Sequence, residues 1–122
     1  SPALLEAYRA MPPIVDFLSL DVDDATFATF NTLPWDTHRI RVACIEHDAY
    51  RGRDIRSYIR DAMSCMGYTI VCGDVCIRFP DASCAPGPFE DWFCDPDLVK
   101  PELIERFRCS GREWCDIVKG LI

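Results

Sequence analysis

Two early runs of this chain are almost continuously apolar, and each ends in acidic residues. They are Ile14 to Val22, followed by Asp23-Asp24, and Arg39 to Ile45, followed by Glu46-His47-Asp48. Runs of this kind predict β-strands covered on both faces, as in a parallel sheet. Between them, Ala25 to Leu33 reads as a short helix carrying Phe27 and Phe30, closed by Leu33-Pro34-Trp35. Ahead of the first strand, Pro2 suits the first turn of a helix with Ser1 as its cap. Leu4, Leu5 and Tyr8 share one face of that helix, and Met11-Pro12-Pro13 stops it.

The best helical pattern spans Gly52 to Met66, where Ile55, Ile59, Ala62 and Met66 fall on one stripe. Gly67 stands where a helix C-terminus wants glycine. Tyr68–Cys72 and Val75–Phe79 read as strands joined by Gly73-Asp74, a hairpin-type dipeptide in reversed order. Pro80 to Pro88 is a proline-rich loop, and Asp91 to Cys94 a short final strand. Two helices are expected in the tail, Pro101–Cys109 and Arg112–Leu121, the second with Trp114, Ile117, Val118 and Leu121 at helical spacing. Strands alternating with helices predict an α/β fold: two parallel strands joined by a right-handed crossover, then a β-hairpin as an antiparallel end, flanked by helices.

Length and charge narrow the possibilities. The 122 residues suffice for one domain, and the net charge of -7 argues against a nucleic-acid partner. No apolar run approaches the roughly 20 residues that cross a bilayer, and no signal-peptide pattern opens the chain, so the expectation is a cytoplasmic protein without a membrane partner. Arg51, Arg53, Arg56 and Arg60 are the densest basic group and read as a solvated helix flank. Most of the eight cysteines fit a reduced interior, where cysteine packs as a small hydrophobe. Two sharper readings stand beside that one. Cys72, Cys76, Cys84 and Cys94 could form a zinc site, although no CxxC pair exists, and Cys109 could bond to Cys115.

The chemistry lies where the two apolar strands end. If they are parallel neighbours, Asp21, Asp23 and Asp24 approach Glu46, His47 and Asp48 across a strand spacing of about 5 Å. Carboxylates with an imidazole can serve as a general base toward a hydroxyl, or carboxylate oxygens can hold a hard cation. Polar residues where buried strands meet water are the plainer alternative. No glycine-rich loop precedes the first strand, so the chain reads as the back part of a larger fold, with one wall of an active site.

Several of these residues resemble a family. Val15-Asp16-Phe17-Leu18-Ser19-Leu20-Asp21-Val22-Asp23 is similar to the D-[FY]-L-S-[IL]-D-V-E-G region of FkbM-type S-adenosylmethionine-dependent methyltransferases. Arg39 to Asp48 resembles the family's strand ending V-E-H-N. Ile55-Arg56, Met66-Gly67-Tyr68 and Glu90-Asp91-Trp92-Phe93, with Asp95-Pro96-Asp97-Leu98 after it, continue the likeness in order. The resemblance covers about residues 2 to 99. It implies the C-terminal portion of a Rossmann-like methyltransferase domain over residues 1–99, with a helical tail, 100–122, packed on it or on a partner.

By that resemblance the cofactor is S-adenosylmethionine and the acceptor a hydroxyl of a sugar or small metabolite. Asp21 and Asp23 flank the transfer site, and Glu46 and His47 line the neighbouring strand end. The chain alone is expected to be incomplete for the cofactor, and no metal is expected. It departs from the family at Asp24, where the family has Gly, at Thr26, where it has Glu, and at Asp48, where it has Asn. Asp24 adds a side chain and a charge at a tight strand-to-helix turn. The rival expectation is a non-enzymatic half-domain that associates with itself, as a homodimer, through an exposed sheet edge; a weaker one is a zinc-stabilised module.

Overall fold

The two apolar runs fold as β1 (Ile14–Leu20) and β2 (Arg39–Glu46), parallel neighbours with Ile14 opposite Arg39 and Leu20 opposite Ile45. The structure, a computed structural model, describes residues 2–52, 54–77 and 87–120. Before β1 lies α1 (Pro2–Arg9). Between β1 and β2 runs α2 (Thr26–Thr32), entered through a 3₁₀ turn at Asp23–Ala25. Next come α3 (Arg56–Cys65), β3 (Thr69–Ile77), β4 (Gly87–Cys94), α4 (Pro101–Phe107), β5 (Cys109–Ser110) and α5 (Trp114–Lys119). The strands form one mixed sheet in the order β1-β2-β4-β3-β5, with β4 antiparallel to both β2 and β3. The α/β class, the parallel pair and the antiparallel end are borne out.

Four expectations need correction. β1 is an edge strand rather than one covered on both faces: its only partner among the described residues is β2, and Ile14 and Phe17 are 48% and 58% exposed. Gly73-Asp74 makes no hairpin turn. β3 runs through it because Asp74 takes φ 48° and absorbs a register shift as a bulge, with its N–H donated to Asp91 Oδ1 at 2.8 Å. The hairpin partner is β4, which already begins at Gly87; Phe79 and most of the proline-rich loop lie outside the described residues. Finally, the first tail helix stops at Phe107, and Cys109 instead opens β5, which pairs in parallel with β3. Leu121 lies outside the described residues.

α3 starts where Asp54 accepts the Arg56 N–H at 3.0 Å and ends at Gly67, whose φ of 88° a β-carbon would strain. Ile59 and Met63 from α3 and Phe30 from α2 pack with Leu20, Ala43, Ile45 and Phe93 into the main core. The other face of the sheet, with Val42, Cys72 and Trp92, is covered by Ile104 and Phe107 of α4 and Ile117 of α5. Arg39 ties β2 to the hairpin: it donates to Asp95 and to the Met66 carbonyl, at 2.8 and 2.7 Å, and lies 4.1 Å from the Tyr68 ring centre. No described helix is long and apolar enough to cross a membrane.

The seven described cysteines are all free. Cys109 and Cys115 are therefore not bonded: one sits in β5, while the other points its Sγ at Glu113 Oε2, 3.5 Å away. Cys84 of the zinc reading lies outside the described residues, and no described cysteine joins a group able to hold a metal. Burial pushes the thiols of Cys44 and Cys72 up to about 12, so both stay protonated and unreactive.

Candidate active site at the ends of β1 and β2

Parallel pairing sets the carboxyl ends of β1 and β2 side by side, and the pleat then sorts the residues beyond them. Ile45 faces Asp91 across the sheet and Glu46 faces Glu90, so successive residues leave β2 on opposite sides. Glu46 goes with the β1 carboxylates, and His47 goes with the hairpin.

On the first side, Asp21, Asp23 and Glu46 each bring an oxygen into a group whose members all lie within 4.8 Å of one another. Asp21 and Asp23 are exposed, whereas Glu46 is only 3% exposed and its Oε2 has no hydrogen-bond partner among the described residues. Burial, then the charges of Asp23 and Asp48, push the Asp21 carboxyl up. Burial also raises Glu90, against the hydrogen bond that Trp92 Nε1 donates to it at 2.6 Å, and the charge of Asp21 adds to the rise. Among the described residues, the half-exposed Arg51 brings a cation to the cluster, its Nη1 3.7 Å from Asp23 Oδ1 and 3.6 Å from Asp48 Oδ2. A cavity of about 70 Å³ opens beside Asp23, Asp24, Glu46, His47 and Asp48.

Left-handed backbone builds this corner. Asp23 and Asp48 have φ of 50° and 49°, a region that aspartate tolerates better than most residues. The strained position after β1 is thus Asp23, while Asp24 sits within the 3₁₀ turn and lines the cavity. The Asp24 side chain is therefore accommodated without left-handed strain.

On the second side, His47 is buried, and its Nδ1 accepts the Ala49 N–H at 3.2 Å. In the neutral ring the proton therefore sits on Nε2, which lies 3.3 Å from Asp91 Oδ1 and 3.5 Å from Asp74 Oδ1. That N–H is aligned on neither oxygen, so the attraction is electrostatic rather than a formed hydrogen bond. Arg60 grips Asp91 through Nε at 2.7 Å and Nη2 at 2.8 Å, and Nη2 also reaches Asp74 at 2.9 Å. Arg56 joins Asp74 at 3.1 Å and Asp54 at 2.6 Å. Burial would push Asp91 up, but the Arg60 and Asp74 hydrogen bonds, with His47 beside it, hold it down at about 2.

Of the six residues expected to converge, Asp21, Asp23 and Glu46 come together, while His47 borders their cavity but turns its Nε2 to Asp74 and Asp91. Arg56 and Arg60 correct the reading of a solvated basic flank, since both are committed to ion pairs; Arg53 lies outside the described residues. Asp74, Glu90 and Asp91 are not expected as site residues from the sequence, where Gly73-Asp74 reads as a turn and Glu90-Asp91 only as part of a motif. The available signal was an acidic pair inside a strand, where charge must find a partner. Comparison with family models, curated proteins and solved structures finds no match to this chain.

Proposed function

We propose that this chain forms the acceptor side of an FkbM-like S-adenosylmethionine-dependent methyltransferase, acting on a hydroxyl of a sugar or small metabolite. The observation that carries this reading is the buried, unpartnered Oε2 of Glu46 beside Asp21 and Asp23, at the carboxyl ends of two parallel strands. Ligands of open α/β sheets bind at such ends. An ionised carboxylate only accepts, so Glu46 is suited to receive a hydroxyl hydrogen bond and to hold its proton as the oxygen reacts. Asp21 and Asp23 orient neighbouring hydroxyls. The parallel pair with an antiparallel end supports the finer Rossmann-like assignment that the resemblance implies.

The methyl donor does not fit the described residues. The six glycines form no glycine-rich loop, and a cavity of about 70 Å³ is too small for a nucleoside. On this reading the donor is held by polypeptide outside these 122 residues. Calorimetry of the 122-residue chain with S-adenosylmethionine is expected to show no heat of binding; tight binding would overturn the division of labour.

A second reading comes from β1. Its open edge, with Ile14 and Phe17 exposed, suits antiparallel pairing with β1 of a second copy about a two-fold axis. Sizing chromatography should then give a dimer at high concentration, reduced to monomer by Phe17→Lys. A monomer at every concentration rejects this reading.

A further inference from the structure

We propose that Asp21, Asp23 and Glu46 form a binding site for one hard divalent cation, of the Mg²⁺, Mn²⁺ or Ca²⁺ class. Three carboxylates offer oxygens that all lie within 4.8 Å of one another. Two ligands of one such ion stand at most about 4 to 5 Å apart, twice a metal–oxygen distance of about 2.0–2.6 Å. The cluster therefore spans an ion with small side-chain adjustments. All-oxygen ligands select hard cations over zinc or copper.

The second, independent observation is Glu46. It is 97% buried by its 3% exposure, and its Oε2 has no hydrogen-bond partner among the described residues. Buried carboxylate oxygens are nearly always satisfied, and Glu46 belongs to the cluster, with Glu90 opposite it on β4. Arg51 does not fill the role, because it pairs with Asp23 and Asp48 only at 3.7 and 3.6 Å, its side chain 44% exposed. The neighbouring group differs. His47, Asp74 and Asp91 also cluster, but Arg60 already supplies their positive charge at 2.7 to 2.9 Å, leaving no demand for a metal. The cavity beside Glu46 has space for the water molecules that such an ion retains.

The ion's role, chelating two acceptor oxygens, rests on the methyl-transfer reading; its binding does not. The test accordingly uses no donor or acceptor. Titration of the full 122-residue chain with MnCl₂, following free Mn²⁺ by electron paramagnetic resonance, should give one site with a dissociation constant below about 1 mM, displaced by MgCl₂ or CaCl₂. Glu46→Gln and, separately, Asp23→Asn should each weaken it at least 10-fold, while Asp61→Asn on α3 leaves it unchanged. Circular dichroism verifies the fold of each variant, and the exposed Asp23 keeps the test valid if the Glu46 variant fails to fold. No binding to the folded wild-type chain, or binding that both variants retain, overturns the proposal. Mn²⁺ bound as described with no methyl transfer would leave the site standing and reject only the role.

Discussion

Arg60→Met is expected to lower the free energy of unfolding by about 3 kcal/mol, to be read from denaturant titration. The substitution leaves Asp91 buried with its charge uncompensated, and removing one partner of a buried pair costs about 3–5 kcal/mol. The lower end applies because water reaches Arg60, whose side chain is 36% exposed against 1% for Asp91. Asp91 keeps the Asp74 N–H, so it is weakened rather than orphaned. The double variant Arg60→Met, Asp91→Asn should lose less than the two single changes summed, because the isolated charge is gone.

The same pair sets an acid limit on stability. Asp91 titrates near 3.9 in an unfolded chain and at about 2 in the fold. A depressed folded value gives stability that is present above pH 4 and lost as the pH falls toward 2, amounting to about 2 kcal/mol. In Arg60→Met this part of the pH profile should flatten, because the bond that depresses the value is missing.

Glu46→Gln is expected to reduce methyl transfer at least about 100-fold in the polypeptide that carries these residues, while the fold survives. Glutamine keeps the shape and burial of the side chain but cannot hold the acceptor's proton, and general-base help alone contributes roughly 10²–10⁴-fold. The variant should also unfold no more easily than the wild type, since a buried carboxylate without a partner, opposite Glu90, is a cost to the fold. A residue that costs stability and is needed for activity has the signature of a functional position.

Much of this architecture was legible in the residue pattern, and the misreadings share a physical origin. The apolar runs located β1 and β2, and Gly67 located the end of α3, because hydrophobic period and left-handed backbone are local properties. Which strand lies at the edge is not local, and nothing in Ile14 to Leu20 distinguishes an exposed Phe17 from a covered one. Gly73-Asp74 looked like a turn because both residues tolerate unusual backbone; a tertiary bond from the Asp74 N–H to Asp91 made it a bulge instead. The site was half visible. Asp21, Asp23 and Glu46 converge as the parallel pairing of the strands requires, whereas His47 is turned away by the pleat and held beside a hairpin strand that comes more than forty residues later. Arg60 seemed a solvated cation because its partner, Asp91, is reached only through the fold.

The central proposal is an acceptor site for methyl transfer at the carboxyl ends of β1 and β2. Its most direct measurement is transfer of a labelled methyl group from S-adenosylmethionine to a panel of sugars and small hydroxyl compounds, by the polypeptide carrying these residues. The predicted result is label on a hydroxyl oxygen, lost at least about 100-fold in Glu46→Gln. Transfer that Glu46→Gln leaves intact, or a wild-type protein that labels no hydroxyl in the panel, would contradict it.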